Sequence, residues 1–131
     1  MAHPQMFDDE DPMLGRVRRI ALALPGAQEK ISHGRPAFFT DRVHCYYGGS
    51  RKVDGAWEQH PCSVLLHLPA SEGAALWERP DSFVPAYLGP SGWLGLDLHE
   101  DSDLEDLAEL VEESYRTVAP RRRVVELEAR P

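Results

Sequence analysis

The chain has 131 residues, 42% of them hydrophobic and 27% charged, a size and balance that suit one globular domain with its own core. A net charge of −8 argues against general affinity for nucleic acid, and no apolar stretch approaches the roughly 18 residues of a membrane span. The opening MAHPQMFDDEDP is acidic and lacks the apolar core of a signal peptide, so a cytoplasmic setting is expected, with Cys45 and Cys62 as free thiols.

Residues 1–10 read as a solvated, flexible acidic tail ahead of a single domain over 11–120. Asp11 followed by Pro12 is a helix start, with Asp as the cap and Pro in the first turn. Leu14, Val17, Ala21 and Leu24 fall on one face of that helix, and Pro25-Gly26 stops it. A turn-rich stretch follows. Residues 36–40 and 43–47 then form a β-hairpin, and residues from Gly48 through Lys52 and beyond a flexible basic loop. Residues 62–68 make a third strand, apolar on both faces at Val64, Leu65, Leu66 and Leu68, and therefore central in the sheet. A short helix over 70–79 ends at Pro80. The compact loop 83–93 leads into a fourth strand, 94–98, with Leu94, Leu96 and Leu98 on one face.

Ser102 to Glu105 has the spacing of a capping box and opens the last helix, whose inner face carries Leu104, Leu107, Val111, Tyr115 and Val118. Its acidic residues lie largely outward. Pro120 stops it, and the basic tail 121–131 is expected to fray. The fold expected is α+β: an antiparallel sheet of about four strands with helices packed on one side, in the order α-β-β-β-α-β-α. Leu65, Leu96, Leu107, Val111 and Tyr115 are expected to share one core.

The chemistry-bearing residues each have a plain structural reading. Glycines 89, 92 and 95 do not have the spacing that cradles a pyrophosphate, and they precede a strand; a tight turn that seats Trp93 is the simpler reading. His44, Cys45, His60, Cys62 and His67 could suggest zinc, but alternation sends His44 and Cys45 to opposite faces, and likewise Cys62 and His67, so no metal site is expected. No nucleophile motif accompanies the cysteines, and the carboxylates of 97–113 look like a solvated helix face. No cofactor and no catalytic residue is expected. The domain should fold without metal or disulfide.

Charge is unevenly spread. Residues 13–60 carry +4 and residues 61–119 carry −10. Arg35, Arg42, Arg51 and Lys52 flank the hairpin, interleaved with Tyr46, Tyr47 and Trp57, and Arg16, Arg18 and Arg19 stand on the first helix. Basic groups beside a β-ribbon could contact phosphates, and a ribbon fits the major groove. A solubilising surface is the plain alternative.

Three stretches carry a family resemblance: 22–26 (LALPG) with 32–38 (SHGRPAF), 83–95 (FVPAYLGPSGWLG), and 113–121 (ESYRTVAPR). In order and spacing they resemble the MmcQ/YjbR family over about residues 14–123. The resemblance implies a compact "double wing" α+β domain and a DNA-binding role. His33 stands where that pattern has Trp, and Ser91 where it has Lys, which removes a phosphate contact from the loop.

The sequence thus points to a non-enzymatic binding domain, with duplex DNA, bound weakly and in a salt-dependent way, as the leading partner. Arg35, Arg42, Arg51, Lys52, Arg16 and Arg19 are the candidate contacts. The alternative is a protein or small molecule held in a cleft near His33, Tyr87 and Trp93. Folate-dependent formyl transfer is not expected: it uses an Asn-His-Asp set, and the chain has no asparagine.

Overall fold

A computed structural model describes residues 4–131. Helix α1, Pro12–Leu22, is capped by Asp11, whose Oδ1 accepts from the Met13 N–H at 2.9 Å while its other oxygen accepts from the Tyr47 hydroxyl. Four strands follow: β1 Gln28–Ser32, β2 Arg35–Phe39, β3 Val43–Val53 and β4 Ala56–His67. Helix α2, Ala70–Trp77, leads to the short β5, Ser82–Phe83, a 3-10 turn at Gly89–Ser91, and β6, Trp93–Asp97. Helices α3, Leu104–Val118, and α4, Arg121–Glu128, close the chain. The strands form one antiparallel sheet in the order β1-β2-β3-β4-β6-β5.

The sheet has six strands where about four are expected. β1 is an edge strand whose largest apolar side chain, Ile31, is 59% exposed, so it carries no alternating pattern. Residues 48–53 are not a loop. They continue β3 and pair with the first half of β4 through a two-residue turn, Asp54 and Gly55, both at positive φ (52° and 80°). That is the primed hairpin geometry for which Asp-Gly is the favoured pair.

Both chain ends are more structured than expected. Of the tail over 1–10, residues 1–3 lie outside the described residues. The Met6 N–H donates to Gly34 O at 2.8 Å, and Asp9 pairs with Arg18. Residues 121–128 are helical, with Leu127 buried in the core. Arg122 reaches Asp41, and Arg130 donates to Ala23 O. At the start of α3 the cap is Asp103, which accepts from Glu105 and Asp106 N–H, while Ser102 accepts from His99 N–H instead.

One face of the sheet is covered by helices. Val64, Leu66, Leu96 and Leu98 pack with Leu14, Val17, Leu107, Val111 and Tyr115 in a single buried cluster. Leu65 is buried but does not share this cluster. It lies between Val64 and Leu66, and strand alternation turns it to the other face. His44 and Cys45 do not separate as expected. A register irregularity opposite Phe38 and Phe39 lets both be buried, with Cys45 in the core cluster and the His44 ring edge-on to Tyr115, 5.2 Å between centroids.

Ser114 joins the layers. Its hydroxyl donates to His44 O at 2.5 Å and accepts from His67 N–H at 2.9 Å. These are the next partners in the β3–β4 register after Cys45 and Leu66, so a side chain from α3 completes the ladder where the strands part. The neighbouring Tyr115 hydroxyl donates to Pro25 O at 2.7 Å and fixes the turn after α1.

Two measurements test this packing. Ser114→Ala strands two buried backbone groups and should cost about 2–3 kcal/mol in urea denaturation. Thr117→Ala, which removes only an exposed bond to Glu113 O, should cost under about 1 kcal/mol. The second test concerns His44, whose burial pushes its pKa from 6.5 down to about 4. A folded-state pKa below the unfolded one means that the unfolded chain takes up the proton first. The stabilisation is therefore complete above pH 6.5 and is lost as pH falls toward 4, up to about 3 kcal/mol. The pH dependence of stability should be shallower over that window in His44→Leu than in the wild type.

Candidate functional site

The sheet face away from the helices is not flat. It holds a cleft of about 690 Å³, floored by Tyr46 and Leu65 and walled by the β1–β2 turn, the first part of β4 and the loop 85–88. The β1–β2 turn contributes His33, in the left-handed region at φ 52°, and the start of β2 contributes Arg35. β4 contributes Trp57 and Gln59, and the loop contributes Pro85, Ala86, Tyr87 and Leu88. The loop is fastened to β3 by the Ala86 N–H, which donates to Ser50 O at 2.8 Å. Met6 closes one side of the cleft from the N-terminal segment.

Of the three residues expected around a cleft, His33 and Tyr87 line it. Trp93 lies beside the floor on the same sheet face, edge-on to Tyr46 at 5.2 Å and to His67 at 5.3 Å, and braces it from the side. Tyr87 is 81% exposed at the rim, and its φ of 65° is unusual for a non-glycine residue. The loop holds it there with Gly89 N–H donating to Pro85 O at 3.0 Å. Its ring meets that of Trp57, itself 47% exposed, with centroids 5.7 Å apart and planes tilted by 41°. The Lys52 ammonium sits 5.0 Å from the Trp57 ring centroid.

Arg35 is the cation of this cleft. It is half-buried and donates to Gln59 Oε1 at 2.6 Å, and among the described residues no carboxylate pairs with it. Burial without an opposing acid lowers its pKa from the ordinary arginine value. Gly48, at φ 84°, makes the room: a Cβ there would stand 2.5 Å from Arg35 Nη1. Burial shifts the Tyr46 phenol the other way and pushes its pKa up.

Of the other cations named from sequence, Lys52 stands over Trp57 at the cleft mouth, whereas Arg42, Arg51, Arg16 and Arg19 do not converge with Arg35. Arg42 and Arg51 stand at opposite ends of β3, roughly 30 Å apart at ~3.3 Å per residue. Arg51 is paired with Glu58 at 2.8 Å. Arg16 and Arg19 are on α1, in the helical layer. The chain separates the residues considered for zinc as well. His67 faces Ser91 O, and His60 lies between Asp97 and Glu58, stacked on Phe83 at 3.9 Å. Among the described residues no three histidines, cysteines or carboxylates gather as a metal group, and none of their helices is long and apolar enough to cross a membrane.

A profile of the YjbR family matches residues 22–117, most of the chain and all of the cleft except Met6. The chain belongs to the YjbR family. The fold agrees: this YjbR domain resembles the crystal structure of Deinococcus radiodurans protein DR2400, described as a DUF419 domain, with a TM-score of 0.60 and 17% identity over 88% of this chain and 87% of that one. No curated protein sequence matches the chain.

Gly48, Gln59 and Leu65 are cleft residues that strand periodicity gives no reason to group with His33 and Tyr87. The Asp54-Gly55 turn is the signal that could have placed Gln59, because it sets the register that brings Ser50 opposite it. Two substitutions test the backbone of the site. Tyr87→Asn should melt at or above the wild-type temperature, because asparagine accepts the left-handed region more readily and little buried area is lost. Gly48→Ala should lose about 1–2 kcal/mol, through its positive φ and its collision with Arg35.

Proposed function

We propose that this YjbR protein is a non-catalytic binding domain whose ligand occupies the cleft. The reading is carried by one observation: the fold gathers His33, Arg35, Tyr46, Trp57 and Tyr87 around a single concavity. Its volume is in the range of about 300–1,000 Å³ typical of small-molecule sites, and it is largely apolar with a few polar groups. Among the described residues no Asp, Glu or Cys lines it, so its walls offer neither a carboxylate base nor a thiol nucleophile. The two free thiols fit a reducing cytoplasm.

Duplex DNA is the second reading, and the β3–β4 ribbon favours it. Beyond Ser50 and Gln59, which the Ala86 N–H and Arg35 still reach, the described strands pair only with each other, so residues 51–58 extend past the neighbouring strands, a shape able to enter a groove. Charge weighs the other way. Over residues 49–60, Arg51 and Lys52 are offset by Asp54 and Glu58. Binding through two lysine or arginine contacts would have a salt slope of only roughly −2.

A two-armed titration separates the readings. Amide NMR shifts are followed with a mixed-sequence duplex at about 50 mM salt, and thermal shifts with a metabolite library. The cleft reading expects library compounds that raise the melting temperature and move the amides of Ser50 and Ala86. It is overturned if only the duplex binds, at the ribbon tip, and is lost when Arg51 and Lys52 become alanine together.

A further inference from the structure

The cleft combines two kinds of recognition that belong to one ligand class. The first is a charge without a counter-charge. Among the described residues of the lining Arg35 is the only Lys or Arg, and it is half-buried. Its described side-chain partner is the neutral Gln59 Oε1, which occupies Nη2. A partly desolvated guanidinium is costly to leave uncompensated, and its planar fork matches a carboxylate or phosphate group. Gly48 keeps clear the space that Nη1 occupies. The site therefore positions the guanidinium without neutralising it.

The second is a set of aromatic faces. Tyr46 forms part of the floor, braced by Trp93. Trp57 and Tyr87 stand at the mouth with their rings splayed and largely open to solvent. Flat rings gain from stacking or edge contacts with such faces, and apolar Leu65, Pro85 and Leu88 fill the rest of the wall. Lys52, held over Trp57, adds positive potential at the entrance.

Resting on the cleft reading above, we propose that the ligand is a small aromatic anion: a flat ring lodged among Tyr46, Trp57 and Tyr87, with one carboxylate or phosphate monoester on Arg35. The aromatic carboxylates and the nucleoside monophosphates share this chemistry, and both are small enough for the cleft.

Calorimetric titration of the full chain with indole-3-acetate, adenosine 5′-monophosphate and uncharged adenosine tests it, with amide NMR shifts to locate binding. At least one of the two anions should bind and move the Ser50, Gln59 and Ala86 amides; which one does so identifies the source. Arg35→Gln should weaken that anion by about tenfold or more, while adenosine changes by less than about twofold. Gln59→Glu is the second variant. It keeps Arg35 and nearly the same shape but places a carboxylate on the guanidinium, so the anion should be lost with the melting temperature unchanged or raised. The proposal is overturned if adenosine binds as well as the anions, or if both variants bind the anion like the wild type. If neither anion binds but adenosine moves the cleft amides, the anion inference fails and the cleft reading stands. If none of the three does, and the library gives no cleft binder, both fail.

Discussion

The hydroxyl of Ser114 holds the two layers of this domain in register. Where β3 and β4 part, the His44 carbonyl and the His67 N–H no longer reach each other, and a side chain from α3 takes up both. Buried peptide groups tolerate no vacancy, so α3 can sit on the sheet at only one height. The next residue, Tyr115, carries the same registration to the end of α1 through Pro25 O. The core of leucines and valines then closes around a geometry already set by polar contacts. Hydrophobic burial supplies the driving force, but it is not directional.

That closure uses one face of the sheet and leaves the other free. An antiparallel sheet commonly turns its second face to water with polar side chains. Here the free face carries Tyr46 and Leu65, and the loop before β6 folds over them instead of running clear. The charges divide in the same way. The ribbon tip cancels its own, whereas Arg35 keeps its charge in the wall of the concavity. Electrostatic attraction is therefore concentrated at a point, a distribution suited to a compact ligand more than to a long polyanion.

Much of this was legible in the residues. Leu14, Val17, Ala21 and Leu24 have helical spacing and are buried, and the Asp11 cap and Pro12 stand where they should. α3 follows its Leu107, Val111 and Tyr115 face, although Leu104, expected on that face, is 40% exposed in the first turn, and the LALPG and FVPAYLGPSGW stretches lie within the residues 22–117 that the family profile matches. Other parts were hidden for physical reasons. β1 is an edge strand with no buried side, and α4 buries little beyond Leu127, so neither has a period to find. Leu65 looks like its neighbours Val64 and Leu66, and only the pleat assigns it to the cleft. The cleft itself is assembled from residues more than fifty positions apart, His33 to Tyr87, and no local pattern encodes that meeting.

The Met6 side chain gives the cleft a property that its other walls lack. It belongs to a strap tied down by one backbone bond to Gly34 and, three residues on, by the Asp9–Arg18 pair. A thioether is soft and adaptable, able to follow the outline of whatever it lies against. Among the described residues of the lining it is also the one group that mild oxidants convert reversibly, from an apolar side chain to a polar, chiral sulfoxide. Part of the boundary of this cleft is therefore open to redox chemistry as well as to mutation.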